Sequence, residues 1–178
     1  MDNDFVVIRH AEPGDIDAIR RVARESWAGV YAGIIPPNVQ SELLDAWYSA
    51  ESLTQAIEAE MSVFLVAEVQ GEVVGFAQVA HASSTLVSLT RIYLLPGEQH
   101  KGFGTRLIEA ATTELADGVE WIEVDVEQEN VRARRFYERL GFTVVRTKAE
   151  MAPGFTWTLV TYRKAVASGD RDGDHHHG

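Results

Sequence analysis

Apolar and polar positions along the chain repeat with two periods. Short apolar or alternating runs at 5–9, 63–69, 73–79, 85–95, 121–126, 144–150 and 156–163 predict strands. Gln70, Gly71 and Glu72 separate two of these runs and predict a hairpin, and Pro153 and Gly154 predict another. Helical spacing appears first after Asp15, a predicted N-cap, with Ile16, Ile19, Val22, Ala23 and Trp27 on one face. Residues 29–37 have no period. A second helical region spans 38–60, broken near Ser49, where Ser52 is predicted to cap a new turn. A helix over 102–117 carries Leu107, Ile108, Ala111 and Leu115 on one face, and another over 130–140 stops at Gly141.

The resulting order is β-α-α-β-β-β-α-β-α-β-β. Antiparallel strands followed by β-α-β crossovers predict an α/β (α+β) fold: a mixed central sheet with helices on both faces. Residues 1–165 are expected to form one domain, and 166–178 a polar, disordered tail. His175, His176 and His177 in that tail read as a floppy native terminus or tag remnant rather than a metal site.

Composition narrows the chemistry. A chain of 178 residues can bury roughly 70% of its unfolded surface, so it needs no staple. It has no cysteine, which removes disulfides, thiol nucleophiles and thiolate metal sites and fits a reducing cytoplasm. No apolar run approaches the ~20 residues of a membrane helix, and the acidic N-terminus does not read as a signal peptide. The formal charge of −11 argues against nucleic acid as a partner. Only three of the 16 basic residues are lysine (Lys101, Lys148, Lys164), as high-salt adaptation or a GC-rich genome would both produce.

The segment from Leu89 to Leu107 holds the most specific signal. A strand ends at Pro96, a short loop follows, and Gly102 and Gly104 open a helix. Free amides at a helix N-terminus are donors aimed at an anion, and the helix dipole favours negative charge there by ~0.3–1 kcal/mol. A glycine lets a phosphate approach the backbone, and Lys101 and Arg106 bracket the loop. Two glycines alone more often mark a tight strand-to-helix turn that binds nothing.

Gln99, Gly102 and Gly104 match Q/R-x-x-G-x-G/A, and the chain here resembles the Gcn5-related N-acetyltransferase (GNAT) superfamily. A second block agrees: Asn130, Ala133, Phe136, Tyr137, Gly141 and Phe142 match N-x-x-A-x-x-F/L-Y-x-x-x-G-F. The likeness spans about residues 5 to 164. It implies an acetyl-CoA-dependent N-acetyltransferase acting on a primary amine, of a small molecule or of a protein, with no metal. A homodimer is compatible with it.

The resemblance also implies roles. Two strands would splay, and the pantetheine arm would pair with the backbone of Ile92, Tyr93 and Leu94 like an added strand. A bulge there would free an amide, that of Leu94 or its neighbour, to hold the thioester oxygen. Gln99, His100, Lys101, Gly102, Phe103, Gly104 and Thr105 would hold the phosphates, and Asn130 the arm. Tyr137 would return a proton to the thiolate, although an amphipathic helix also explains a core tyrosine beside Phe136.

The general base is less defined. Some members carry Glu 11 residues before the Gln, where this chain has Ser88, which cannot serve. Others carry Glu five residues before the Asn, where it has Asp125. Asp125, directly or through a water, is the expected base; a solvated or ion-paired carboxylate is the alternative. Period-two alternation puts Glu123 on the same face. Trp27, Tyr31, Ile34, Ile35, Trp47 and 151–157 are the expected acceptor region, suited to an amine with an apolar body or a peptide. A non-catalytic CoA-binding sensor and an O-acyl or longer-chain acyltransferase are the competing readings.

Overall fold

The computed structural model describes residues 5–166; of the predicted tail only Val166 is described, its amide donating to the Glu120 carbonyl at 2.9 Å, and 167–178 lie outside the described residues. Seven strands form one sheet: β1 (Val6–His10), β2 (Ser62–Val69), β3 (Glu72–His81), β4 (Leu86–Leu94), β5 (Trp121–Glu127), β6 (Thr143–Ala152) and β7 (Phe155–Ala165). Their spatial order is β1-β2-β3-β4-β5-β7-β6. Only β4 and β5 are parallel. The helices are α1 (Ile16–Val30), α2 (Pro37–Trp47), α3 (Ala50–Glu58), α4 (Phe103–Glu114) and α5 (Val131–Arg139). This is the predicted mixed sheet and element order, with the second helical region divided in two.

The centre of the sheet explains its sequence. β2 and β3 are buried on both faces, so they read as continuous apolar runs rather than alternating ones. One face packs Val79, Val87, Leu89, Val124 and Val126 against Phe103 and Leu107 of α4 and Tyr137 of α5. The other packs Phe64, Val66 and Phe76 against Ile19, Val22 and Trp27 of α1, Leu43 of α2 and Leu53 of α3.

Several local expectations change. The cap of α3 is Ser49, whose hydroxyl accepts from the Ser52 amide at 3.1 Å. Asp15 stands at the start of α1, but its side chain caps no amide of that helix. Its carboxylate takes both terminal nitrogens of Arg9, at 2.8 and 2.9 Å, and the Glu12 amide. A two-pronged charged partner outcompetes a helix amide. α4 begins at Phe103 and stops before Leu115.

The bulge in β4 is not at Leu94. Gln78 pairs with Arg91 and Val79 with Leu89, so Thr90 is the extra residue. Its hydroxyl donates to the Gln78 carbonyl at 3.2 Å.

Candidate active site

β4 and β5 pair only from Leu86–Trp121 to Leu89–Val124. Beyond that point β4 stays on β3 and β5 stays on β7, so a gap opens between them. The Leu95 amide donates to the Val74 carbonyl on the β3 side. Alternation along a strand therefore turns the backbone groups of Ile92 and Leu94 toward the gap. The Leu94 carbonyl accepts there from Gln99 Nε2 at 3.5 Å.

A groove runs along this gap. Its walls include Ile92, Tyr93, Leu94, Gln99, His100, Gly102, Phe103, Gly104, Asn130 and Tyr137, which are ten of the predicted site residues. Lys101 and Thr105 are not among its walls. Lys101 Nζ pairs with Glu98 Oε2 at 3.1 Å. Two residues that the sequence reading missed, Arg132 and Arg139, are. Arg132 Nη1 reaches Gln99 Oε1 at 3.4 Å and brings α5 to the phosphate loop. Its place two residues after Asn130, in the first turn of a helix, was the available signal.

The loop has the shape an anion site needs. His100 and Gly102 both have positive φ, 67° and 82°, which turns the chain into α4. No side chain caps α4, and its first helical bond is from the Arg106 amide to the Gly102 carbonyl. The Phe103, Gly104 and Thr105 amides precede that bond. The two glycines differ. A Cβ on Gly102 would meet nothing, so its backbone conformation is what requires glycine. A Cβ on Gly104 would make only ordinary contact, 3.4 Å from Phe136 Cζ, so neither packing nor backbone conformation requires glycine there. Open amides, a free strand edge and arginine at one end of the groove fit a long ligand with a phosphate end.

A second cavity of about 500 Å³ lies beyond the gap, walled by α1, α2, β4, β5 and the β6–β7 hairpin. Trp27, Tyr31, Ile35, Trp47 and Trp157 line it as predicted; Met151 is exposed, and Glu150 lines the cavity instead. Tyr31, Thr90, Arg91, Tyr93, Asp125 and Glu127 belong to both cavities and form their junction. The Tyr31 and Tyr93 hydroxyls lie 2.5 Å apart. Burial raises both phenols well above the ordinary range.

Glu123, Asp125 and Glu127 share one face of β5, opposite the apolar face of Ile122, Val124 and Val126. Their surroundings differ. Burial pushes the Glu123 carboxyl up, but hydrogen bonds from Arg146 and Arg163 outweigh it and hold the carboxyl below its usual range. Asp125 is exposed, pairs with Lys148 Nζ at 2.9 Å and accepts from the Thr161 hydroxyl at 2.5 Å. Glu127 is half-buried at the junction, and no ion pair holds it among the described residues. Burial raises its carboxyl above the usual range, against hydrogen bonds from its own amide, Tyr31 and Asn130. The alternation that gives Glu123 and Asp125 one face also gives it Glu127, two residues further along β5.

Asn130 caps α5, its Oδ1 accepting from the Ala133 amide at 3.2 Å. Tyr137 is buried against Phe136, Phe142 and Tyr162, and burial raises its phenol. Ser88 sits beside Glu123 in the β4–β5 ladder, away from the junction.

Residues 60–144 match the acetyltransferase (GNAT) domain model. A spermidine N(1)-acetyltransferase of Thermoplasma acidophilum is 31% identical over 151 residues, which cover 80% of this chain and 91% of that protein. The chain belongs to the GNAT superfamily. An aminoglycoside N(6')-acetyltransferase type 1 of Stenotrophomonas maltophilia is 32% identical, over 76% of this chain and 84% of that one. The structure of PaiA N-acetyltransferase from T. acidophilum, solved in complex with coenzyme A, superposes with a TM-score of 0.77 at 26% identity. It covers 90% of this chain and 99% of that one. Among the described residues no helix is long and apolar enough to cross a membrane, and no cluster of His, Cys, Asp or Glu is placed to hold a metal.

Proposed function

We propose that the protein transfers the acetyl group of acetyl-CoA directly to a primary amine. The observation that carries this is the parting of β4 and β5 after Leu89 and Val124, which joins a groove with a phosphate-type end to a separate aromatic cavity. Ile92 and Leu94 would pair with the pantetheine arm, the α4 amides with Gln99 and Arg132 would hold the phosphates, and the Leu94 amide would hold the thioester oxygen.

An acceptor ammonium, with pKa ~10.4, must lose a proton before attack. Glu127 is the better-supported acceptor of that proton: it faces both cavities and has no counter-cation among the described residues, whereas Asp125 pairs with Lys148. The amine lone pair then forms the C–N bond, and the C–S bond breaks. The departing sulfur gains a proton from Tyr137, whose phenol burial keeps uncharged, and the nitrogen's second proton returns to the Tyr137 oxygen, directly or through a water. A cysteine-free chain is compatible with a cytoplasmic site for this reaction.

The test is CoA release from acetyl-CoA over a panel of amines. The chain has no thiol of its own, so a thiol reagent reads CoA without background. Amine-dependent release is expected. Tight CoA binding with no release for any amine would instead mark a CoA-binding sensor, and release to alcohols alone an O-acyltransferase.

A further inference from the structure

One helix of this acidic chain is strongly basic. α5 has four arginines in nine residues and one acid. That acid, Glu138, accepts from the Tyr162 hydroxyl at 2.9 Å, and Arg134 Nε donates to the same hydroxyl at 2.9 Å. The other three, Arg132, Arg135 and Arg139, follow one another at spacings of three and four and so share a side of the helix. All three are exposed, and among the described residues none pairs with a carboxylate. Helix electrostatics does not account for the set. Arg139, in the last turn, suits the helix dipole, but Arg132 stands in the first turn, where the dipole opposes a cation, and no acid accompanies it there.

Arg132 and Arg139 are walls of the groove, and Arg135 is not. Arg132 reaches Gln99 of the phosphate loop. Arg139 Nε donates to the Arg135 carbonyl at 3.3 Å, and its terminal nitrogens have no protein acceptor among the described residues. Two helical turns, about 10 Å, separate the two arginines. Phe136 lies between them against the start of α4, its Cζ 3.4 Å from where a Cβ on Gly104 would stand.

We infer that Arg139 forms a second anion subsite, which takes the ribose 3′-phosphate of CoA, apart from the pyrophosphate site at the start of α4. This rests on the acetyl-CoA reading of the groove and deepens it. The α4 amides, Gln99 and Arg132 meet the pyrophosphate. CoA carries one further phosphate, set apart from the first two by a ribose, and a phosphomonoester matches a guanidinium fork. A net charge of −11 opposes the approach of a polyanion, so unpaired cations along the groove are needed where its charge settles.

Calorimetric titration with CoA and with dephospho-CoA, which lacks only the 3′-phosphate, tests this. Wild type is expected to bind CoA roughly five- to tenfold tighter, a modest ratio because Arg139 is exposed, and the ratio should shrink as salt rises. Arg139→Gln is expected to weaken CoA to the level of dephospho-CoA and to leave dephospho-CoA within about twofold. Arg135→Gln removes the same charge from the same helix outside the groove and should keep the preference. Both variants alter exposed side chains and are expected to fold; if Arg139→Gln does not, Arg139→Lys, which keeps the charge but loses the fork, should reduce the ratio. Equal wild-type affinities, a preference that survives Arg139→Gln, equal weakening of both ligands by it, or a preference lost in Arg135→Gln would each overturn the assignment. Binding of both ligands without preference sinks this assignment alone, whereas binding of neither sinks the acetyl-CoA reading with it.

Discussion

Leu89 and Val124 are the last residues to pair between β4 and β5, and every residue assigned here to chemistry lies beyond them. In a parallel ladder each backbone group past the last pair has lost its partner. The site is therefore a place where the fold stops satisfying its own backbone, and a ligand takes over.

Glu127→Gln is expected to lower kcat by roughly 10²-fold with little change in KM for acetyl-CoA, as loss of a positioned base does. Asp125→Asn is expected to change it by less than about threefold. Because burial raises the Glu127 carboxyl, the wild-type rate should fall as pH drops through a value above the usual glutamate range, and that limb should vanish in Glu127→Gln. The same residue has a stability signature. Between its unfolded and folded pKa the native state holds the extra proton, so its contribution to stability declines as pH rises through that window. Glu127→Gln should remove that decline in a denaturant titration. Equal loss of rate in the two variants would return Asp125 to the role.

Tyr137→Phe removes only the hydroxyl from a ring packed on Phe136, Phe142 and Tyr162. The expected outcome is a kcat loss of about tenfold or more with a thermal midpoint within a few degrees of wild type. The loss should shrink with a thioester whose leaving thiol is more acidic.

Gly102→Ala and Gly104→Ala should diverge. Gly102 has φ 82°, so an alanine there costs on the order of 1 kcal/mol in backbone strain or turns the α4 amides away. CoA binding by calorimetry should weaken severalfold or more. At Gly104 the added methyl meets only Phe136 Cζ, Ile92 and Leu94 at 3.4–3.7 Å, and affinity should stay within about threefold.

Glu123→Gln leaves Arg146 and Arg163 without their shared carboxylate. A loss of about 1–3 kcal/mol is expected, toward the lower end because both arginines face water. The folded pKa of Glu123 lies below its unfolded value, so its contribution is complete above the ordinary glutamate range. It is lost as pH falls through the folded value. Urea midpoints of wild type and variant should therefore converge in acid.

What could be read along the chain was what local sequence controls. The hairpin around Gln70 and Gly71, the turn at His100 to Gly102 and the cap at Asn130 depend on residues within a few positions of one another. So do the two blocks that placed the chain among acetyltransferases. The bulge falls at Thr90 and not among Ile92 to Leu94 because pairing with Gln78 and Val79 of β3 sets it, and nothing along β4 alone marks it. Asp15 missed its cap because Arg9 comes from another element.

The sequence by itself determined the donor end: a strand, two glycines and a helix start, all contiguous. It also determined that β5 offers a row of carboxylates. Only the tertiary structure decided which of them stands half-buried with no counter-cation among the described residues. Glu123, Asp125 and Glu127 share one face by the same alternation, yet Arg146 and Arg163 claim the first, Lys148 the second, and Tyr31 shelters the third. Those partners arrive from β6, β7 and the end of α1. A carboxylate's charge state is set by what surrounds it in space, which its position in the chain does not record.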